Sequence, residues 1–132
     1  MAANTFQLSV VTPEREVLAI EARFVALPAY DGEIGILPRR APLLTQLGAG
    51  LLRVEEAAGA KRELFVSGGF AQMVDDKLTL LTEEAREPAT ITADAAARSL
   101  AEADALVAHS DGEFVKKERA ITRARALRRL TR

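Results

Sequence analysis

The 132-residue chain lacks cysteine and tryptophan and has a single histidine. Without cysteine, disulfides, thiolate metal sites and cysteine nucleophiles are all excluded. One histidine cannot build a histidine-based metal cluster, and no phosphate-binding G-x-x-x-x-G-K-[ST] sequence occurs. Ser110 adjoins His109 within an expected turn, which is not the geometry of a catalytic triad. The sequence therefore predicts a protein that is not an enzyme, with no catalytic residue and no metal site.

Long hydrophobic runs are missing too, since no apolar stretch approaches the roughly 20 residues that span a bilayer. We therefore expect no direct membrane insertion. Apolar residues make up 48% of the chain and charged residues 28%, proportions typical of a globular domain. The length suits one ordinary domain, or a small domain with an appendage.

The charges are unevenly distributed along the chain. Residues 111–132 hold eight Lys or Arg and three Asp or Glu, a surplus of five positive charges. The preceding 110 residues hold ten basic and sixteen acidic residues. A basic tail on an acidic body predicts either an acidic partner surface or a tail that folds back on its own body.

Residues 5–82 have the pattern of short β-strands. Phe6, Leu8 and Val10 alternate with more polar residues, as in a strand with one buried face. Two hairpins are predicted from local sequence, one connected by residues 57–61 and the other by residues 75–77. Strand-like runs separated by turn residues at this spacing indicate a β-sandwich of roughly ten strands.

Residues 27–42 contain the densest cluster of turn-forming residues. Pro28 is expected to end a strand because proline cannot donate to a ladder, and Asp31-Gly32 is expected to form a tight turn. Gly35, between two isoleucines, leaves one face of the next strand open to a close approach. A later pair of prolines brackets two arginines in an extended, exposed segment.

From residue 83 the pattern changes to a helical period. Residues 83–88 resemble a charged linker, and Thr92 is the expected N-cap of a first helix. This helix has a seam of mostly small residues at heptad spacing: Ala93, Ala96, Leu100, Ala103 and Val107. Residues 109–112 are expected to break it. A second helix then presents an apolar face: Phe114, Ile121, Ala124 and Leu127.

The predicted architecture is thus an all-β sandwich over residues 1–86, followed by a C-terminal antiparallel two-helix hairpin over residues 87–132. The seam between the helices is thin, because a buried methyl group contributes about 0.8 kcal/mol against roughly 1.5 to 3 for a buried Leu or Phe. Ordering the backbone costs roughly 1 to 2 kcal/mol per residue, which is comparable with the small gain from burying methyl groups. We therefore expect the helical hairpin to be weakly held and to exist in both a docked and an undocked state.

Two stretches resemble the signatures of a known family. Residues 32–43, GEIGILPRRAPL, are similar to the G-E-x-G-I-L-P-x-H-A-P-L hallmark of the epsilon subunits of bacterial and plastid F-type ATP synthases. Residues 66–71, VSGGFA, followed by LTLLT and Ala85, resemble a second signature of that family. Order, spacing and length agree over nearly the whole chain. Two positions depart: Ala29 stands where many members have glycine, and Arg40 where many have histidine.

This resemblance implies a non-catalytic central-stalk subunit that couples the rotor ring to the catalytic head and restrains ATP hydrolysis through its C-terminal helices. Its implied partners are the gamma subunit, the ring of c subunits and the beta subunit of the head. The implied location is peripheral, on the cytoplasmic side of the bacterial inner membrane or the stromal side of the thylakoid. The family places Glu33 at the ring; we call it and its neighbours the tip residues: Tyr30, Asp31, Glu33, Arg39 and Arg40.

The second helix is expected to act as an electrostatic brake on ATP hydrolysis, because basic residues here meet an acidic segment of the beta subunit in the family. We call them the basic set: Lys116, Lys117, Arg119, Arg123, Arg125, Arg128 and Arg129. The alternative is a small β-sandwich module whose basic tail binds nucleic acid or another acidic partner, since arginine suits phosphate and carboxylate alike. Phe114 is the helix's lone aromatic residue, so a base-stacking platform is missing and no nucleic acid is expected.

Some family members carry I-D-x-x-R-A at the start of the first C-terminal helix, a motif associated with nucleotide binding. Here residues 91–96 are ITADAA, so Thr92 replaces the acid and Ala95 replaces the arginine. The substitutions weigh against ATP binding by the isolated subunit, and no cofactor is expected.

Overall fold

A computed structural model describes residues 4–131, in two compact units that divide between Arg86 and Glu87. Among these residues the first unit has nine strands: β1 (Phe6–Val11), β2 (Glu16–Ala29), β3 (Gly32–Ile36), β4 (Leu43–Gln46), β5 (Ala49–Glu56), β6 (Lys61–Ser67), β7 (Phe70–Val74), β8 (Lys77–Leu81) and β9 (Glu84–Arg86). The second unit has a 3-10 turn (Pro88–Thr90) and two helices: α1 (Ala93–Ala105) and α2 (Asp111–Leu130). The predicted β-sandwich followed by two helices is confirmed.

The strands are hydrogen-bonded in the order β4-β7-β8-β1-β2-β5-β6-β9, and β3 pairs with β2. β1 and β8 run parallel, whereas the other paired strands described are antiparallel. One apolar core collects the inward side chains of the sandwich, including the fully buried Leu8, Leu27, Ile36, Leu52 and Met73. Alternation along the strands therefore points one side chain in two into a shared interior.

β2 runs through 14 residues because a bulge lets one strand serve two partners in succession. Its pairing with β5 shifts register between Ala22 and Phe24. The side chains of β2 that belong to the apolar core are Leu18 and Ala22, at even positions, and then Val25, Leu27 and Ala29, at odd positions. An extra residue in a strand reverses the side-chain alternation, so the bulge keeps both halves of β2 facing the core.

The expectation that Pro28 ends a strand is wrong, because β2 continues to Ala29. The Pro28 carbonyl accepts a hydrogen bond from the Gly48 N–H at 2.9 Å, on the side of β2 that faces β5. The β2–β5 ladder has already ended at Ala26. The missing N–H of Pro28 therefore removes no ladder bond, which is the position where a strand tolerates proline.

Both predicted local hairpins are confirmed. β5 and β6 pair across residues 57–60, and β7 and β8 pair across Asp75-Asp76. These two aspartates have φ angles of 51° and 58°. Positive φ at both central residues is the backbone of a tight hairpin turn whose twist matches that of the flanking strands. Part of the expected linker is instead strand β9, which pairs with β6.

Gly69 connects β6 to β7 in a conformation that requires glycine. Its φ is 90°, and a Cβ placed there would overlap the backbone carbonyl oxygen of Leu81. The Gly69 carbonyl also accepts the Leu47 N–H at 2.9 Å. The glycine pair of the second family signature thus allows two backbone segments to approach closely.

In the second unit, Thr92 is the N-cap of α1 as predicted, since its Oγ1 accepts the Ala95 N–H at 3.1 Å. The buried residues of α1 are Ala96 and Ala103, both members of the predicted seam. Val107 is not a seam residue, because α1 ends at Ala105 and the Val107 side chain is 69% exposed.

The predicted break at residues 109–112 lies too far along the chain. Ser110 is the N-cap of α2: its Oγ accepts the Glu113 N–H, while Glu113 Oε2 accepts the His109 N–H at 2.8 Å. This reciprocal capping offsets the helix-weakening Gly112, which lies in the first turn. α2 packs against α1 and buries Ala124, Ala126 and Leu127, whereas Phe114 is 56% exposed and does not belong to the buried face.

Candidate functional site

The β2–β3 hairpin presents the first three tip residues. Its two-residue connection is Tyr30-Asp31, one position earlier than expected, and Gly32 opens β3 with a φ of 142°. The Tyr30 side chain is 69% exposed, and Asp31 and Glu33 are exposed beside it. A short turn between paired strands therefore holds an aromatic ring and two carboxylates outward.

Glu33 forms an ion pair across β2. Its Oε1 accepts a hydrogen bond from Arg53 Nη2 of β5 at 2.5 Å, and both side chains are about half exposed. Exposed pairs of this kind contribute about 0 to 1 kcal/mol, so the pair orients Glu33 more than it stabilises the fold. On the same face, a Cβ at Gly35 would lie 3.3 Å from Phe24 Cε1. The ring of Phe24 is thus the group that approaches the backbone at Gly35, as the sequence analysis predicted for this glycine.

Arg39 is fixed by contacts with two other segments. Its backbone N–H donates to Asp76 Oδ1 at 2.6 Å, and its Nη2 donates to Asn4 Oδ1 at 3.1 Å. The Asp76 carbonyl accepts the Gln7 N–H at 2.9 Å. Asp76 thus clamps the β3–β4 loop to β1, which holds Arg39 at a φ of 60°.

The structure does not bring the five tip residues together. Tyr30, Asp31 and Glu33 lie at the hairpin turn, whereas Arg39 and Arg40 follow the far end of β3. β3 is five residues, or about 16 Å, long and separates the Tyr30-Asp31 turn from the segment that carries Arg39 and Arg40; Glu33 is its second residue, near the turn. The sequence predicted a strand around Gly35, but not the pairing with β2 that holds it extended.

The sandwich also exposes apolar side chains that the sequence analysis did not single out. Phe70 of β7 and Leu81 of β8 are directly opposite each other and are 53% and 57% exposed. Leu44 of β4 is 69% exposed and pairs with Gln72, two residues from Phe70 on the same outward face. We call Leu44, Phe70 and Leu81 the apolar patch. The sequence carries a signal for such residues. In a strand, a residue between two inward-facing residues points outward, so an apolar residue at that position is expected to be exposed.

The basic set lies along α2 but does not form a single face. Lys116 and Arg125 are nine residues apart, or two and a half helical turns, and so point to opposite sides. Lys117 and Arg123 are half-buried, and the other five members are exposed. Arg128 and Arg129 fall in the last turn, where positive charge is favourable beside the free carbonyls of the helix.

A surface cavity of about 480 Å³ lies over β5 and β6. Three of its charged residues are already engaged, since Arg53 pairs with Glu33, Arg62 with Glu56, and Glu55 with Arg23. Within residues 4–131, no three His, Asp or Glu side chains converge in a way that could hold a metal ion. No helix in that range is both long enough and apolar enough to cross a membrane.

Comparison with known proteins gives a consistent picture. Residues 5–88 match the family model described as ATP synthase, delta/epsilon chain, beta-sandwich domain. The ATP synthase epsilon chain of Rhodopirellula baltica is 43% identical over 123 residues, which cover 93% of this chain and 95% of the relative. The epsilon chain of Rhodospirillum rubrum is 33% identical over 122 residues, covering 92% and 91%.

Solved structures agree with these relatives. A chain in the cryo-EM structure of the Euglena gracilis mitochondrial ATP synthase (OSCP/F1/c-ring) superposes with a TM-score of 0.78 at 25% identity, covering 93% of this chain and 79% of its own. A chain in the central stalk and c-ring structure of the Tetrahymena thermophila enzyme superposes with a TM-score of 0.75 at 12% identity, covering 96% of both, and supports the fold. The resemblance seen in residues 32–43 and 66–71 is confirmed, and the chain belongs to the ATP synthase epsilon chain family.

Proposed function

We propose that this protein is the non-catalytic epsilon subunit of the central stalk of an F-type ATP synthase, and that it couples the rotor ring to the catalytic head. The observation that carries the proposal is the similarity to epsilon chains over 93% of the sequence, which includes both units. In this assignment, residues 1–86 form the unit that contacts the gamma subunit and the ring, and residues 87–132 form the regulatory unit. Neither role requires a cofactor.

The apolar patch is the proposed gamma-subunit contact. Its three side chains are between 53% and 69% exposed and lie on the neighbouring strands β4, β7 and β8. Contiguous apolar surface on a folded unit is characteristic of an interaction site, because covering it removes apolar area from water. At about 25 cal/mol per Å² of buried apolar surface, burying three large side chains stabilises a contact by several kcal/mol.

The tip residues are the proposed ring contact, made as two separate groups. Tyr30, Asp31 and Glu33 would meet one polar loop of the ring. Arg39 and Arg40, beyond the other end of β3, would meet another loop. The Glu33–Arg53 pair and the Asp76 clamp support the idea, because both hold exposed charges on a rigid frame and reduce the ordering cost of binding. The protein would thus lie peripherally, on the cytoplasmic side of a bacterial inner membrane or the stromal side of a thylakoid.

The basic set is the proposed brake on ATP hydrolysis, acting on an acidic segment of the beta subunit. Its support is the surplus of five positive charges in residues 111–132 and the small buried residues of the hairpin, among them Ala96, Ala103 and Ala124. A contact between α1 and α2 that buries mainly methyl groups is weak enough to open. Members of the basic set point in several directions, so they suit a partner that surrounds α2 rather than one that lies along a single side.

Co-purification tests the assignment. A tagged full-length chain, expressed in its own cells and extracted in mild detergent, should retain a large complex that hydrolyses ATP. A double variant of the apolar patch, Phe70→Glu with Leu81→Glu, should lose the gamma subunit. Val107→Glu is the control, because Val107 is also an exposed apolar residue but lies outside the patch. A lone monomer that binds duplex DNA tightly would instead support the nucleic-acid alternative.

A further inference from the structure

Strand β3 has a free edge. It pairs with β2 on one side, and no other strand pairs with it among residues 4–131. The backbone hydrogen bonds of turns and loops in the described part of the chain likewise involve none of residues 32–36. An unpaired strand edge is a template for another extended segment.

The hydrogen bonds of β2 determine which groups of β3 point outward. The Pro28 carbonyl and the Tyr30 N–H bond toward the β4–β5 junction, so the intervening Ala29 bonds toward β3. Directly opposed residues in an antiparallel ladder alternate between bonded and non-bonded pairs. Gly32, Ile34 and Ile36 therefore bond to β2, while the N–H and C=O groups of Glu33 and Gly35 point away from it.

We propose that an extended segment of a neighbouring subunit pairs with this edge and adds a strand beside β3. The inference rests on the proposed function, because it takes the partner to be another subunit of the same complex. Four backbone groups, two N–H and two C=O, are available to it at Glu33 and Gly35. Main-chain hydrogen bonds supply affinity in this mode of recognition, and alternate side chains supply specificity.

Neighbouring side chains define the chemistry of the added strand. Ile34 packs against the rim of the core, so the residue opposite it is apolar and β-branched. Glu33 is exposed and uses one carboxylate oxygen, Oε1, to pair with Arg53, so a basic residue of the added strand can pair with the other oxygen. Gly35 has no side chain, and the ring of Phe24 lies next to it, so a large side chain fits there. In an antiparallel partner these residues follow in the order large, β-branched, basic.

A second copy of this chain is a poorer occupant. Two-fold pairing of β3 with β3 places the two Glu33 carboxylates directly opposite or diagonal to each other, depending on the register. Like charges at those positions of a ladder are unfavourable. Asp31 adds another negative charge at the same end of the strand.

Hydrogen exchange at single-residue resolution tests the proposal. Amides are compared between the isolated full-length subunit and the assembled complex, by mass spectrometry with fragmentation that preserves the label. We expect the Glu33 and Gly35 amides to exchange quickly in the isolated subunit and at least roughly tenfold more slowly in the complex. The Ile34 and Ile36 amides are the internal control, because they bond to β2 and should be slow in both.

A pair of variants separates backbone pairing from side-chain contact. Glu33→Pro removes an outward N–H, whereas Glu33→Ala removes only the carboxylate. In the complex, Gly35 protection should be lost with proline and kept with alanine, and slow Ile34 and Ile36 amides report that the hairpin still folds.

Three results are distinguishable. If the complex assembles but Glu33 and Gly35 exchange as fast as in the isolated subunit, the added strand is ruled out. If the isolated subunit dimerises and protects the same amides, a second copy is the occupant and the proposal is wrong. If no complex forms at all, the proposed function fails instead.

Discussion

Adding one methyl group at Gly69 should destabilise the protein by about 3 to 6 kcal/mol. Alanine at positive φ costs about 1 to 2 kcal/mol, and Gly69 has a φ of 90°. The new Cβ overlaps the Leu81 carbonyl oxygen, so the backbone must shift, which costs about 1 to 3 kcal/mol by analogy with overpacked cores. The shift also weakens the hydrogen bond from the Leu47 N–H, which contributes about 0.5 to 1.5 kcal/mol.

Gly59→Ala is the matched control for this prediction. Gly59 has a φ of 99°, but a Cβ there meets nothing closer than Arg23 Nη2 at 3.8 Å. It should therefore lose only the conformational contribution, about 1 to 2 kcal/mol. The two variants differ in the close backbone approach and in little else.

Urea denaturation of the full-length chain, followed by far-ultraviolet circular dichroism, measures the difference. Urea slopes of about 1 to 3 kcal/mol per molar place the Gly69→Ala midpoint roughly 1 M below that of Gly59→Ala. Midpoints that coincide within about 0.3 M, at equal slopes, would refute the reasoning, because the contact with Leu81 would then cost nothing.

Three further predictions concern the proposed contacts. Asp76→Ala should speed hydrogen exchange at the Arg39 amide, because the clamp loses its acceptor oxygen. Asp76→Asn keeps a side-chain oxygen and should leave the exchange rate unchanged. Equal exchange rates in the two variants would argue against the clamp. A cysteine replacing Glu33 should cross-link to a cysteine in a polar loop of the ring in the assembled complex, with Glu14→Cys as an exposed control, and failure with assembly intact would remove the ring assignment. Alanine at all members of the basic set, or truncation after His109, should raise ATP hydrolysis by the complex, and salt should weaken the wild-type brake because screening shortens the range of the charges. Single substitutions should do little, since an exposed pair contributes about 0 to 1 kcal/mol, and an unchanged rate in both multiple variants would leave α2 without a braking role.

Local chemistry made much of the fold predictable. The two hairpins and the Thr92 cap depend on residues that adjoin each other, and the structure confirms them. The continuation of β2 through Pro28 was missed, because proline breaks a strand only where its N–H is needed. The N–H of residue 28 would point toward β5, and the β2–β5 ladder ends at Ala26, so no bond is lost there. Where that ladder ends depends on residues far apart in the sequence and cannot be seen from Pro28 and its neighbours.

The helical boundaries failed for a related reason. Heptad spacing assigned Val107 to the seam, but periodicity does not tell where a helix stops, and α1 ends two residues earlier. Gly112 was taken as a breaker, although a capping pair formed by Ser110 and Glu113 stabilises the first turn around it. A capping box is visible in the sequence as S-x-x-E, so this boundary was available from local residues.

The candidate site shows the same division. The sequence predicted a tight turn here, and the structure has it at Tyr30-Asp31, one position earlier. The separation of Arg39 from that group, its clamp to Asp76 and the pairing of Glu33 with Arg53 required the strand register, which brings together residues between 20 and 37 positions apart. The apolar patch likewise depends on which strands are neighbours.

The continuous strand β2 has a mechanical consequence. At about 3.3 Å per residue its 14 residues form a rod roughly 45 Å long, with β1 and then β3 bonded along one side and β5 along the other. Ladder bonds run perpendicular to the strand, so a pull directed along β2 loads many of them together in shear instead of peeling them one at a time. Force applied at the Tyr30-Asp31 turn is thereby spread over the ladders that β2 forms with β1, β3 and β5.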